Sequence, residues 1–175
     1  VANNTRVLKA RLLGRRLYQG KPSGSIEFMM LEELGPRTWE GLCKASAKYL
    51  PGLQFEIPTP DGKGLRGTLV RGIGDSRHGT VVAEFDRDPI ESGAGELPLP
   101  HYIHRDESTP LSAADESSYQ TVYAKEAGSA AAPTAGLHFT DAVMGRLREK
   151  GVGWEELTLN VGLGTFRPVK VSDIR

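Results

Sequence analysis

Short apolar runs at Ile26–Leu31, Trp39–Lys44, Leu53–Ile57, Leu65–Val70 and Thr80–Phe85 follow one another at fairly even spacing. Turn chemistry separates them: Pro22–Gly24, Gly35–Pro36, Pro51–Gly52, Pro58–Gly64 with Asp61–Gly62 inside it, and Gly72–Asp75. Short strands bounded by Gly, Pro and Asp predict an all-β unit over residues 11–86, a small barrel or sandwich. Met29, Met30 and Trp39 read as its core. Between Asp86 and Glu116 the pattern changes, with eight acids against two bases and prolines at Pro89, Pro98, Pro100 and Pro110. Each proline restricts its own φ and the residue before it. The pattern predicts a loop-rich crossing over 87–112, extended between Leu97 and Arg105.

The remainder alternates helix and strand. Ala113–Lys125 predicts a helix that delivers Tyr119, Gln120 and Tyr123 to the loop after it. Asp141–Lys150 predicts a second helix, with Thr140 as N-cap, Asp141 at the positive end of the dipole and Gly151 as the left-handed stop. Leu157, Leu159, Val161 and Leu163 then alternate with Thr158, Asn160 and Gly162, which predicts a half-buried strand. The expected fold class is therefore α/β plus all-β, a small β-barrel domain (11–86) set into a larger α/β domain formed by residues 1–10 and 113–175. The chain starts at Val1 and stops at Arg175, soon after an apparent strand. Both ends read as cuts through a fold, so the α/β domain is expected to be incomplete.

Composition narrows the class. A hydrophobic fraction of 38% and a charged fraction of 25% describe a soluble, folded protein. No apolar run approaches the length of a membrane span, and no signal pattern opens the chain. The one cysteine, Cys43, excludes an internal disulfide and fits a reducing, cytoplasmic compartment. Four scattered His argue against a structural zinc site, His101-x-x-His104 reads as loop surface, and no metal is expected. The net charge of zero hides an asymmetry: residues 1–75 carry 12 Lys/Arg against 7 Asp/Glu, and residues 76–175 carry 10 against 15. Arg6, Lys9, Arg11, Arg15, Arg16 and Lys21 follow one another with no acid between them. Such a run can neutralise nucleic-acid phosphates, or it can be a solvated strand face; composition leaves both readings open.

The candidate chemistry concentrates between Tyr119 and Thr140, where Tyr, Gln, Lys–Glu, Thr and His surround a loop of Gly, Ala and Pro. Small residues let backbone approach a ligand, and the flanking polar groups can read it. His138 precedes a helix N-terminus, where an imidazole either exchanges protons with a ligand or hydrogen-bonds the turn. Thr134 and the N–H groups of Ala135–Leu137 can bind an anion there. Glu116, one turn before Gln120, can hold a cation or simply open a helix. Gly162–Thr165 lacks a full nucleotide fingerprint and reads first as a tight turn. In Asn3–Arg6 the Asn and Thr residues suit turn hydrogen bonds and Arg6 suits an anion.

Together these segments resemble the S-adenosylmethionine:tRNA ribosyltransferase-isomerases of queuosine biosynthesis. The resemblance rests on Asn3-Asn4-Thr5-Arg6-Val7 with Ala10-Arg11-Leu12, on Pro98-Leu99-Pro100 with Tyr102-Ile103 and Arg105, and on Tyr119–Ala124. It continues through Gly128, Ala131–Phe139 and Leu157–Pro168. It covers nearly the whole chain in order. This chain departs from the family pattern at Asn160, where His is usual, and at His101, where Pro is usual.

The resemblance implies a barrel set into an α/β domain, in proteins considerably longer than this chain. It implies S-adenosylmethionine as co-substrate, with no further cofactor, and tRNA carrying a modified guanine at the wobble position as partner. The ribosyl group of the donor moves to the aminomethyl group of a 7-deazaguanine, and adenine and methionine depart. A base must remove a proton next to the sulfonium, adenine gains a proton on leaving, and the attacking amine must be neutral. His138 is then expected to transfer protons and Glu116 to face the cationic donor or amine. Tyr119, Gln120, Thr134, Asn4, Asn160 and Thr165 are expected to position substrate, and Arg6 and Arg11 to meet RNA phosphate or the donor carboxylate. The competing expectations are a non-catalytic or degenerate RNA-binding fragment of the same fold, and a cofactor enzyme of another class.

Overall fold

Alternation along the strands explains the larger part of the architecture. A computed structural model describes residues 1–45, 51–72, 79–98 and 117–162. It divides into two compact units: Lys9–Pro98, and Val1–Leu8 with Leu99–Arg175.

The first unit is a closed antiparallel barrel. β3 (Arg11–Tyr18), β4 (Lys21–Gly35), β5 (Thr38–Ala45), β6 (Gln54–Ile57), β7 (Leu65–Arg71) and β8 (Val81–Phe85) lie in the order β4-β5-β8-β7-β6-β3. The β3–β4 pairing closes the ring, so none of the six is left as a free edge. β9 (Gly95–Glu96) pairs with the start of β3, and β6 takes over further along the same strand. Residues 87–98, expected as part of a crossing, thus belong to the barrel unit.

Inward positions supply its core. Leu12, Ile26, Phe28, Met30, Phe55, Ile57, Leu65, Leu69 and Val81 are all but fully buried, and Trp39 is buried with them. Phe28, Phe55 and Phe85 form a three-ring cluster with centroids 5.8–6.3 Å apart. Two glycines make room for it. A Cβ on Gly67 would lie 2.2 Å from the Phe55 ring, and one on Gly41 would lie 2.7 Å from the Phe28 ring.

The β3–β4 connection differs from the expected turn at Pro22–Gly24. It is a two-residue turn at Gln19 and Gly20, both with positive φ (50° and 75°), flanked by the Tyr18–Lys21 pair. Two successive left-handed residues match the right-handed twist of a hairpin, whereas Pro22 fits the extended strand start. The five apolar runs read from the sequence correspond to β4 through β8.

In the second unit, β1 (Ala2–Asn3) pairs in parallel with β11 (Glu156–Leu157), and β2 (Thr5–Val7) pairs in parallel with β10 (Glu126–Ser129). Helix α1 (Asp141–Glu149) forms as expected: Thr140 accepts a bond from the Val143 N–H. At its other end Gly151 has φ +68°, and the N–H groups of Gly151 and Val152 reach back to Arg148 and Leu147. That is a Schellman stop.

Two expectations fail here. Of the helix expected over Ala113–Lys125, residues 113–116 lie outside the described residues, Ser117 and Ser118 are helical, and residues 119–125 are not, so the expected end at Lys125 is wrong. The N–H groups of Lys125 and Glu126 bond to the Asn4 carbonyl, so the long-range ladder with the amino terminus overrides local helix propensity. The strand expected from Leu157 also shortens to Glu156–Leu157. No described helix is long and apolar enough to cross a membrane.

Candidate active site

The second unit is organised around the amino-terminal Asn3-Asn4-Thr5. Asn4 is the point where the chain leaves one parallel ladder for the other. Its N–H donates to the Leu157 carbonyl (2.9 Å), and its own carbonyl accepts from Lys125 (2.8 Å). Its side chain is buried and used at both ends: Oδ1 accepts from the Thr158 hydroxyl at 2.7 Å, and Nδ2 donates to Glu156 Oε2 at 3.3 Å. Asn3 Oδ1 accepts from the N–H groups of Leu159 and Thr5, and its Nδ2 donates to the Leu159 carbonyl. The Thr5 hydroxyl donates to Asn160 Oδ1 at 2.9 Å. Side chains, more than backbone pairs, fasten the first strand pair to residues 156–160.

Glu156 gathers this seam. It accepts from Lys125 Nζ (2.7 Å), Trp154 Nε1 (3.2 Å) and Asn4 Nδ2. Those donors, Lys125 foremost and Asn4 next, hold its carboxyl below the ordinary value by favouring the charged form. Sequence reasoning missed Glu156. The available signal was its place in the polar register of the Glu156–Thr158–Asn160 alternation. The polar face meets the chain's own Asn and Thr residues, while Leu157 and Leu159 on the other face are exposed.

The loop residues sit beside this seam. Gly136 is buried in a 3-10 turn, Thr134–His138, and a Cβ there would lie 2.4 Å from the Tyr123 hydroxyl and 2.8 Å from Thr121. Only glycine lets that turn close onto residues 121–123. Tyr123, Phe139 and Trp154 pack edge to face with centroids 5.1–6.0 Å apart, and burial pushes the Tyr123 phenol above its ordinary pKa. Tyr123, Lys125, Met144, Trp154 and Glu156 help line a cavity of about 220 Å³. Small-molecule sites commonly measure about 300–1,000 Å³, and this cavity lies below that range.

The structure distributes the expected site residues unevenly. His138 is exposed at the end of the 3-10 turn, two residues before the cap of α1, and Thr134 is exposed at its start. Arg6 is exposed on β2 between buried Thr5 and Val7. Tyr119 is buried. Gln120 is already engaged: its amide both accepts from the Val7 N–H and donates to the Val7 carbonyl, each at 3.0 Å. Asn4 and Asn160 are engaged with Thr158, Glu156 and Thr5, and Asn160 also lies against Gly128, where a Cβ would come within 2.7 Å of its Nδ2. Arg11 lies in the barrel unit and pairs with Glu27 at 2.8 Å. Glu116 and Thr165 lie outside the described residues, as do His101 and His104.

Among the described residues no group of three His, Cys, Asp or Glu side chains could hold a metal. Burial, followed by the Glu27 charge, pushes the Cys43 thiol up to about 12, which favours the neutral thiol.

The chain belongs to the queuosine biosynthesis protein family, whose sequence model matches residues 1–175. It is 41% identical to the S-adenosylmethionine:tRNA ribosyltransferase-isomerase of Acaryochloris marina, over 99% of this chain and 46% of that protein. It is 44% identical to the protein of the same name from Syntrophotalea carbinolica, over 99% and 48% respectively. For the one from Clostridioides difficile the figures are 43%, 99% and 48%. The chain spans about half the length of these curated relatives. The crystal structure of S-adenosylmethionine tRNA ribosyltransferase from Thermotoga maritima aligns over 91% of this chain and 39% of its own, at 22% identity and a TM-score of 0.37.

Proposed function

We propose that the full-length protein is an S-adenosylmethionine:tRNA ribosyltransferase-isomerase. It moves the ribosyl unit of S-adenosylmethionine onto 7-aminomethyl-7-deazaguanine at the tRNA wobble position, giving epoxyqueuosine, and it works in the cytoplasm. Family membership across the whole chain carries this reading. The shared name of the relatives, at 41–44% identity, supports it. S-adenosylmethionine is consumed as a co-substrate, and the reaction needs no other cofactor.

The chemistry requires removal of a proton beside the sulfonium and delivery of one to departing adenine. We assign both transfers to the neighbourhood of His138, because its imidazole is exposed on a turn next to a helix N-terminus. Thr134 and Arg6, also exposed, meet polar or anionic parts of the substrates. Glu116 faces the cationic donor or amine, and Thr165 completes the substrate contacts. Tyr119, Gln120, Asn4 and Asn160 act by position: the Val7–Gln120 clamp and the Asn4 seam hold the loop's two flanks at a set distance.

Incubation of the full-length protein with S-adenosylmethionine and tRNA bearing the aminomethyl-deazaguanine should release adenine, read by mass spectrometry. The His138→Ala variant should lose at least about 100-fold in turnover while still binding tRNA. No adenine from the wild-type protein overturns the function, and unimpaired turnover in the variant removes His138 from it.

A further inference from the structure

The basic run from Arg6 to Lys21 has three different fates in the fold. Arg6 stands on β2 in the second unit. Arg11 is neutralised by Glu27 on the neighbouring strand β4. Arg15, Arg16 and Lys21 gather on the β3–β4 hairpin, which has no acid from Leu12 to Ile26. Arg15 and Lys21 are exposed, and neither has an ion-pair partner among the described residues. The acid opposite Arg15 in the ladder is Glu56, which is engaged by Arg66 at 3.3 Å, so that row keeps a net positive charge. Arg16 bends back and donates to the Ser23 carbonyl at 2.8 Å, which braces the hairpin.

At the end of this hairpin stands Tyr18, 68% exposed, paired across the strands with Lys21. The two-residue turn at Gln19–Gly20 sets the register, so the aromatic residue and the lysine face each other on one rung and share one face of the ladder. The last pair of β3 with β6 is Leu17–Gln54, so Tyr18 and Lys21 extend one rung beyond it. Other large exposed apolar residues of the barrel, such as Leu34 and Val70, lack this combination. An exposed ring beside an unpaired lysine, with Arg15 three residues back on the opposite face of the same strand, has a general use: the ring stacks on an unpaired base and the cations meet phosphates on either side of it.

We propose that the tip of the β3–β4 hairpin is an RNA-contacting surface, with Tyr18 as a stacking platform for an unpaired nucleotide and Lys21 and Arg15 as phosphate contacts. The proposal names a docking surface for the tRNA of the proposed function and rests on that reading for the identity of its RNA. It requires nothing of the residues that carry the chemistry.

The test compares full-length wild type, Tyr18→Ala, Tyr18→Phe and Lys21→Ala. Binding to an unmodified tRNA transcript is followed by fluorescence anisotropy from low to moderate salt, and adenine release is followed with modified tRNA. Tyr18→Ala should weaken tRNA binding by about 10-fold. Tyr18→Phe, which keeps the ring, should restore most of that loss. Lys21→Ala should lower the salt-dependence slope by about 1. KM for S-adenosylmethionine should not move. Wild-type affinity and slope in Tyr18→Ala and Lys21→Ala overturn the proposal and leave the transferase reading standing. Loss of binding in the variants with no adenine from the wild type overturns the transferase reading and leaves the RNA surface. Circular dichroism separates either result from unfolding, because the substituted side chains are exposed.

Discussion

The barrel and the Asn-rich unit each hold their own strands by a different chemistry. In the barrel, six strands close through backbone ladders, and the interior is hydrocarbon centred on Phe28, Phe55 and Phe85. In the other unit the paired strands are two to four residues long, and side-chain amides and hydroxyls take over where the ladders end. Apolar burial is non-directional and spreads its stabilisation over many contacts. Hydrogen bonds between buried amides contribute less each, but leaving one partner unmatched is costly. The barrel should therefore respond to changes in volume, and the seam to changes in donors and acceptors.

The largest test removes a ring from the barrel. Phe55→Ala deletes the side chain that meets both other rings and spans Gly67, and it should cost about 3–5 kcal/mol in chemical denaturation. A loss under 1 kcal/mol would mean that the cluster does not dominate the core. Asn4→Ala should cost less, about 1 kcal/mol, by removing the bonds to the Thr158 hydroxyl and to Glu156 Oε2, which keeps Lys125 as its donor. If Asn4→Ala proved neutral, the seam would not hold the unit and the contrast between the units would collapse.

The smallest test uses pH. Because the Glu156 carboxyl is held below its unfolded value, chiefly by Lys125, its contribution is fully present above the ordinary carboxylate range. It is lost as pH falls through the lowered value. Glu156→Gln should therefore be less stable than wild type at pH 7, and the two should converge as the solution is acidified toward pH 3. Urea midpoints measured across that range would expose a constant difference, which would assign the effect to packing and not to charge.

Much of the barrel was legible in the chain because a strand's side chains alternate with a period of two, and that period survives without knowledge of partners. Ile26, Phe28 and Met30 point inward on β4 as their spacing implies. The turn at Gln19–Gly20 was not legible, since glutamine carries no turn signal and the Pro22–Gly24 cluster beside it does. The second half of the helix read over Ala113–Lys125 is absent for a different reason: Lys125 and Glu126 are claimed by Asn4, more than a hundred residues away. In the candidate site, His138 and Thr134 stand exposed on their turn. The engagement of Gln120 by Val7 and of Asn4 by Thr158 could not be read from residue type, because an amide that binds a ligand and one that binds the chain look the same in sequence.

Local periodicity and motif content therefore determined the strand-rich unit, the capped helix Asp141–Glu149 and the family. These depend on interactions within a few residues or on the order of residues itself. Tertiary structure alone decided that Glu156 gathers the seam, that Arg11 is spent on Glu27, and that Arg15, Tyr18 and Lys21 share one hairpin end. Each of those outcomes depends on which distant residue supplies the opposite charge or the missing hydrogen bond, and only the folded chain brings those partners within reach.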